Sequence, residues 1–251
     1  PGEYDLYPYL QSRSSGNRAV YTARVPIDVT GGDIKNIKIS VQPGKDISGR
    51  IKLEGIDTAR SRISLEHIKV QLVVQSPRFG NTNLVSLNAR GEFAFHNVLD
   101  GTYSVRLGNL PPDAYISSIR GSTSSSYEKS SFTINGDDPP SLEIGVTSPG
   151  GTLEGVVQKR DSLEWADIIV TLIPDGAERQ NSWLYKTARL DSSGHFRISG
   201  IAPATYSVFA WKSLAPYQDP DFLREVEPLG KRVDLHIGEN ATVQINLTQL
   251  D

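Results

Sequence analysis

Cysteine is absent from the 251 residues, and with it disulfides, thiolate metal sites and thiol chemistry. That absence fits either redox compartment and does not place the chain. Methionine is absent too and the sequence opens on Pro1, so the expectation is a processed chain or a portion of a longer one. No stretch reaches the roughly 18 apolar residues of a membrane span, and no basic-then-apolar segment opens the sequence. Twenty-six basic and 29 acidic residues leave a net charge of −3 with no long block of one sign. There is then no electrostatic footprint for nucleic acid or an anionic membrane.

The motifs of common chemistry are missing as well. No nucleophile elbow, zinc-protease pair, phosphate loop or dinucleotide fingerprint occurs. His67, His96, His195 and His236 are scattered, none at metal-ligand spacing, and read as surface or edge-strand residues. Asp137-Asp138 precedes Pro139-Pro140 and reads as a turn rather than a calcium site. The expectation is a non-enzyme with no catalytic, cofactor-binding or metal residues.

What remains is strand. Short runs rich in β-branched and aromatic residues, bounded by Gly, Pro, Asn, Asp or Ser, fall at Ile47–Leu53, His67–Val74, Leu84–Leu87, Glu92–Val98, Tyr103–Leu107, Tyr115–Ile119, Ser131–Ile134 and Leu142–Val146. A second set follows at Leu153–Val157, Ile168–Ile173, Leu184–Leu190, His195–Ile198, Tyr206–Trp211, Val233–Ile237 and Thr242–Leu247. Helical spacing with a cap is confined to Asp219–Val226. The fold class is all-β.

The two sets repeat each other. Ser48-Gly49-Arg50-Ile51 opens one and Glu154-Gly155-Val156-Val157 the other; Gly91-Glu92-Phe93-Ala94-Phe95 matches Gly194-His195-Phe196-Arg197-Ile198. Twelve residues after that glycine comes a tyrosine in each, in Gly101-Thr102-Tyr103-Ser104-Val105 and Ala204-Thr205-Tyr206-Ser207-Val208. Gly91 and Gly194 suit a hairpin turn that needs positive φ. Tyr103 and Tyr206 suit a corner in which the ring fills the core and the hydroxyl reaches backbone at the rim.

A third, partial copy stands at the start. Pro1-Gly2-Glu3-Tyr4-Asp5-Leu6 reads like the corner, with Gly2 and Tyr4 in the corner places, and Ala19–Val29 with Ile34–Val41 reads like the closing strands. The division expected is 1–43 for the last strands of a partial repeat, 44–147 and 148–251 for two full ones. Terminal strands alone expose an edge and half a core. Either the missing strands lie upstream, or a neighbouring molecule donates them, or the segment is a trimmed remnant.

The Gly-x-Val/Ile opening strand, the Gly-x-Phe hairpin and the Gly-x-Tyr-x-Val corner resemble the carboxypeptidase regulatory-like domains, relatives of collagen-adhesin B-type repeats and the transthyretin-like fold. The resemblance covers nearly the whole chain. It implies tandem Greek-key, immunoglobulin-like sandwiches without catalytic residues, used as stalks, spacers or adhesins at bacterial surfaces. Adhesin repeats often carry a Lys–Asn isopeptide bond promoted by an acid after the corner tyrosine; here Tyr103-Ser-Val-Arg-Leu and Tyr206-Ser-Val-Phe-Ala hold none, so no such bond is expected.

The resulting expectation is a non-enzymatic extracellular or cell-surface structural protein, in its sharpest form a filament subunit that partners itself head to tail, or else upstream repeats of its own chain. Tyr7 and Tyr9 are then candidates for inter-subunit contact. The alternative is a glycan-binding or spacer module, for which Trp165, Trp183, Trp211, Tyr115 and Tyr217 are the candidate aromatics, though core and interface packing is the plainer reading. Asn240-Ala-Thr and Asn246-Leu-Thr are glycosylation sequons.

Overall fold

Alternation of apolar and polar residues writes most of the strands, because a strand buries every second side chain when one face meets a core. A computed structural model describes residues 2–6, 8–14, 17–23, 25–31, 34–55, 65–76, 84–121, 131–134, 141–158, 165–212 and 215–248. The early strands are β1 (Glu3–Leu6), β2 (Tyr9–Ser14), β3 (Asn17–Thr22), β4 (Val25–Asp28) and β5 (Gln42–Pro43). Those of the first full repeat are β6 (Lys45–Glu54), β7 (Lys69–Ser76), β8 (Leu84–Ser86), β9 (Glu92–Val98), β10 (Gly101–Gly108), β11 (Tyr115–Gly121), β12 (Phe132–Ile134) and β13 (Leu142–Thr147). The second repeat has β14 (Gly151–Gln158), β15 (Ile169–Pro174), β16 (Lys186–Arg189), β17 (His195–Ile201), β18 (Ala204–Trp211), a helix α1 (Pro220–Val226), β19 (Lys231–Leu235) and β20 (Asn240–Asn246).

The sheet orders repeat along with the sequence. β12-β10-β7-β8 in the first repeat corresponds to β19-β18-β15-β16 in the second, and β13-β6-β9 to β20-β14-β17. Among the described residues the first repeat alone extends its second sheet, with β11 beside β13. Ile47, Phe95, Val105 and Phe132 are at most 2% exposed, and Leu153, Val170, Tyr206 and Val208 at most 1%. The fold is all-β, with sheets packed as sandwiches.

The chain divides into two compact units, each discontinuous in sequence: Pro1–Ile51 with Ser64–Gly108 and Ile119–Glu143, and Lys52–Ile63 with Asn109–Ser118 and Ile144–Asp251. Within the second unit Tyr115 joins the core of Leu153, Val157 and Ile201. The Asp113 carbonyl accepts from Gly150 N at 2.6 Å and its carboxylate from Ser148 Oγ at 2.8 Å. A side chain at Gly200 (φ 62°) would meet the carbonyl oxygens of Ala114 and Pro112 at 2.5 and 2.9 Å.

Three sequence expectations need correction. Ile34–Val41 forms no strand: Asn36 takes φ 59°, in the left-handed region, which interrupts the extended run, and no ladder forms along it among the described residues. Ala19–Val29 is two strands, β3 and β4, rather than one. The strand placed at Val233–Ile237 ends at Leu235, because His236–Glu239 turns back through Gly238 at φ 67° and leaves Ile237 68% exposed. The single described α-helix stands where the capped spacing puts it, with Asp219 accepting from Asp221 N and Pro220 in the first turn.

Candidate functional site

The residues that repeat are the ones that build corners. Tyr103 is 1% exposed and donates its hydroxyl to the Leu99 carbonyl at 2.9 Å; Tyr206 is 0% exposed and donates to Ala202 at 2.9 Å. Each bond spans four residues back along the chain, so the ring locks the strand to the turn that leads into it. Burial raises both phenols, Tyr103 to about 12 with Asp100 adding to the rise. Gly101 opens β10 with a nearly extended φ of 158°, and its counterpart Ala204 shows that no glycine is needed there.

The preceding hairpin is built twice from one set of bonds. Asn88 Oδ1 accepts from Arg90 N and Glu92 N at 2.9 Å each, and Asp191 Oδ1 from Ser193 N at 2.8 Å and His195 N at 2.9 Å. Gly91 (φ 78°) and Gly194 (φ 82°) close the turns, and their carbonyls accept from Ile51 N and Val157 N at 2.8 and 3.0 Å. The backbone N–H groups of His195 and Ser193 hold the Asp191 carboxyl below its ordinary range. Asn88 and Asp191 escaped the sequence reading, although an Asn or Asp three residues before a turn glycine is a signal for this Asx-type turn.

Each repeat also lays a phenylalanine over a glycine. Gly49 faces Phe93 across the β6–β9 ladder and Gly155 faces Phe196 across β14–β17. A Cβ on Gly49 would run into the Phe93 ring and the Leu142 carbonyl; on Gly155 it would meet the Val243 carbonyl at 2.5 Å and the Phe196 ring at 2.6 Å. The aromatic ring thus fills the space that glycine leaves in the sheet. Over each pair opens a cleft, of about 990 Å³ in the first repeat and about 830 Å³ in the second. Arg50 reaches Glu143 in the first (Nη2 to Oε2 2.7 Å), and Arg197 pairs with Glu154 in the second. Arg120 and Gly121 of β11 wall the first cleft, and among the described residues the second has no such strand on that side.

The second repeat carries a further layer outside sheet β16-β15-β18-β19. Ile173, Phe209 and Trp211 point away from the main core and are covered by Ala215, Leu223 and Val226. Phe209 stacks on Trp211 with ring centroids 4.8 Å apart, and Trp211 Nε1 donates to Thr171 Oγ1 at 3.0 Å. Tyr185 stacks on Tyr217 at 6.1 Å and donates to the Arg179 carbonyl at 2.9 Å. Arg179 reaches Glu227 at 2.6 Å, and that hydrogen bond lowers the Glu227 carboxyl. Of the candidate glycan aromatics, Trp211 is buried in this layer and Tyr115 in the main core of the second unit, while Tyr217, Trp165 and Trp183 are partly buried against those clusters.

Tyr4 departs from the corner expectation. The β1–β4 ladder pairs Tyr4 with Ile27 as β10–β12 pairs Tyr103 with Phe132 and β18–β19 pairs Tyr206 with Val233. Yet Tyr4 is 54% exposed, and no described strand pairs with the other edge of β1 as β7 and β15 pair with β10 and β18. Gly2 (φ 157°) exchanges backbone bonds with Val29. Tyr7 lies outside the described residues, as do Asp137 and Asp138, and Tyr9 pairs with Thr22 in β2–β3. Asn240 and Asn246 are exposed at the two ends of β20. His96 contacts Asp46, His195 lies near Asp191, and His236 contacts Glu239. Among the described residues no group of three or more His, Cys, Asp or Glu is placed to hold a metal ion.

No protein-family profile and no curated protein matches the chain. Among solved structures it is similar to the Bacillus anthracis TIE protein, at 12% identity and a TM-score of 0.29 over 97% of this chain. The chain spans 41% of that protein. It is also similar to GBS52, the minor pilin of Streptococcus agalactiae (14% identity, TM-score 0.28, 83% of this chain and 97% of that one). The Streptococcus pneumoniae pilus backbone RrgB is another (7%, 0.26, 90% and 70%).

Proposed function

We propose that the chain is a non-enzymatic structural repeat protein of the cell surface, of the carboxypeptidase regulatory-like kind. In this reading residues 1–43 belong to a third sandwich whose remaining strands come from outside this sequence. The observation that carries the reading is Tyr4: it occupies the corner register of Tyr103 and Tyr206 but is 54% exposed where they are 1% and 0%. Large aromatics in a corner register gain their stabilisation from burial, so an uncovered one marks a surface that another strand layer completes. The residues repeated between the two full copies serve turns, corners and sheet packing, which suits a stalk or filament rather than a catalyst.

Tyrosine nitration of the purified chain across a concentration series, followed by peptide mapping and electron microscopy, tests this. Tyr4 is expected to become protected as ordered fibres form, with Tyr103 and Tyr206 protected throughout. A monodisperse monomer whose Tyr4 reacts freely at every concentration sinks completion by a neighbouring chain and directs attention to upstream repeats.

A further inference from the structure

In the first repeat the edge of β13 is occupied by β11; in the second, the corresponding edge of β20 has no strand beside it among the described residues, and the chain after β18 forms α1 instead. β20 runs parallel to β14 from Thr152↔Asn240 to Gln158↔Asn246. In a parallel ladder alternate residues direct both backbone groups to one side, so about half of the β20 peptide groups face away from β14. Exposed edges are ordinarily blunted by lysine, proline or a bulge. Asn240-Ala-Thr-Val-Gln-Ile-Asn246 has no charge and no proline, and its register with β14 is unbroken.

A strand added there has to bring an apolar side chain to the core at every second position, continuing Val243 and Ile245, which are 9% and 5% exposed. One described segment has that pattern and no ladder of its own. Beyond Asn36, Ile37, Ile39 and Val41 alternate with Lys38 and Ser40; Ile37 and Ile39 are 38% and 39% exposed. Placed beside β20, it would also wall the second cleft as Arg120 and Gly121 wall the first.

We propose that the edge of β20 left unpaired among the described residues accepts residues 37–41 of a second copy by β-strand addition, so that copies join head to tail. The inference rests on the self-association reading above and names a second contact between copies, distinct from the covering of Tyr4. Donor and acceptor are different surfaces, so the contact is heterologous and propagates without closing unless the rotation happens to form a ring.

Hydrogen exchange of the whole chain, read by mass spectrometry from dilute to concentrated solution, decides the matter. Amides of 240–246 and 37–41 are expected to exchange at least about tenfold more slowly in the associated material, as newly paired backbone does. An Ile37→Asp, Ile39→Asp variant is expected to abolish that slowing while keeping the native circular dichroism, since both side chains are exposed. Association with unchanged exchange at 240–246 overturns the assignment and leaves completion of the 1–43 segment standing, through a different contact. Slow exchange at 240–246 that ignores both concentration and the double substitution overturns it as well. A monomer at every concentration overturns this inference and completion by a neighbouring chain together.

Discussion

β10 and β18 carry similar inner residues and a shared buried serine on the outer side, Ser104 and Ser207, and part at the next two outer positions. Tyr103, Val105 and Leu107 face one core as Tyr206, Val208 and Ala210 face the other; on the outer side Arg106 and Gly108 stand where the second repeat has Phe209 and Trp211. The neighbouring strands follow suit, with Gln71 and Val73 in β7 against Thr171 and Ile173 in β15. The same scaffold thus exposes Arg106 in one repeat and buries its counterpart Phe209 in the other beneath α1 and the turns around it. The inner face is constrained by the opposing sheet. The outer face is free to acquire a layer of its own.

Removing that layer's centre is expected to have the largest effect. Trp211→Ala should cost about 3–5 kcal/mol, as loss of a buried aromatic does. Gly108→Ala, at the matching position, should be nearly neutral, because its Cβ would find only the Lys69 side chain at 3.7 Å. Denaturant midpoints of the two variants compare the outer faces directly.

The corners should behave alike, and alkali tests this. A phenol whose folded-state pKa is raised contributes stability in full below the unfolded value near 10 and loses it as pH climbs through the folded value. With Tyr103 at about 12, the loss runs over pH 10 to 12 and amounts to roughly 2–3 kcal/mol. Tyr103→Phe should flatten that part of the stability–pH profile and cost about 1 kcal/mol at neutral pH through the bond to Leu99. Tyr206→Phe should do the same. A profile that responds to only one of the two breaks the equivalence.

Gly49→Ala and Gly155→Ala should each cost about 1–3 kcal/mol by overpacking, measured as shifts in denaturant midpoint. The smallest effect belongs to the ion pair beside the first cleft. Arg50 is 58% exposed and Glu143 31%, so a double-mutant cycle should give below about 1 kcal/mol and nearly nothing in high salt.

Much of this was legible in the chain. The period-two runs located nearly every strand of the two full repeats, and Asp219 before Pro220 marked the one described α-helix. The twelve-residue interval from turn glycine to tyrosine joins hairpin to corner in the sequence itself. The outer layer was not read, although the unbroken run Val208-Phe209-Ala210-Trp211 carries its mark, since a strand buried on both faces loses alternation. Asn36 defeated the reading of Ile34–Val41, because the side chains there look like a strand while the backbone turns left-handed. The clefts depend on which glycine meets which ring across a ladder, and spacing along one strand does not state that.

The chain's way of sharing residues between its units bears on how such modules evolve. Counted by sequence, a module ends near 147; counted by packing, Asn109–Ser118 belongs with Ile144–Asp251. A recombination crossover at the sequence seam would strand Asp113 and Tyr115 with the wrong half and leave Gly150 and the core around Ile201 without their complement. Crossovers upstream of Asn109 carry that complement along. Exchangeable cassettes of this architecture are therefore expected to begin inside what the repeat would name the previous copy.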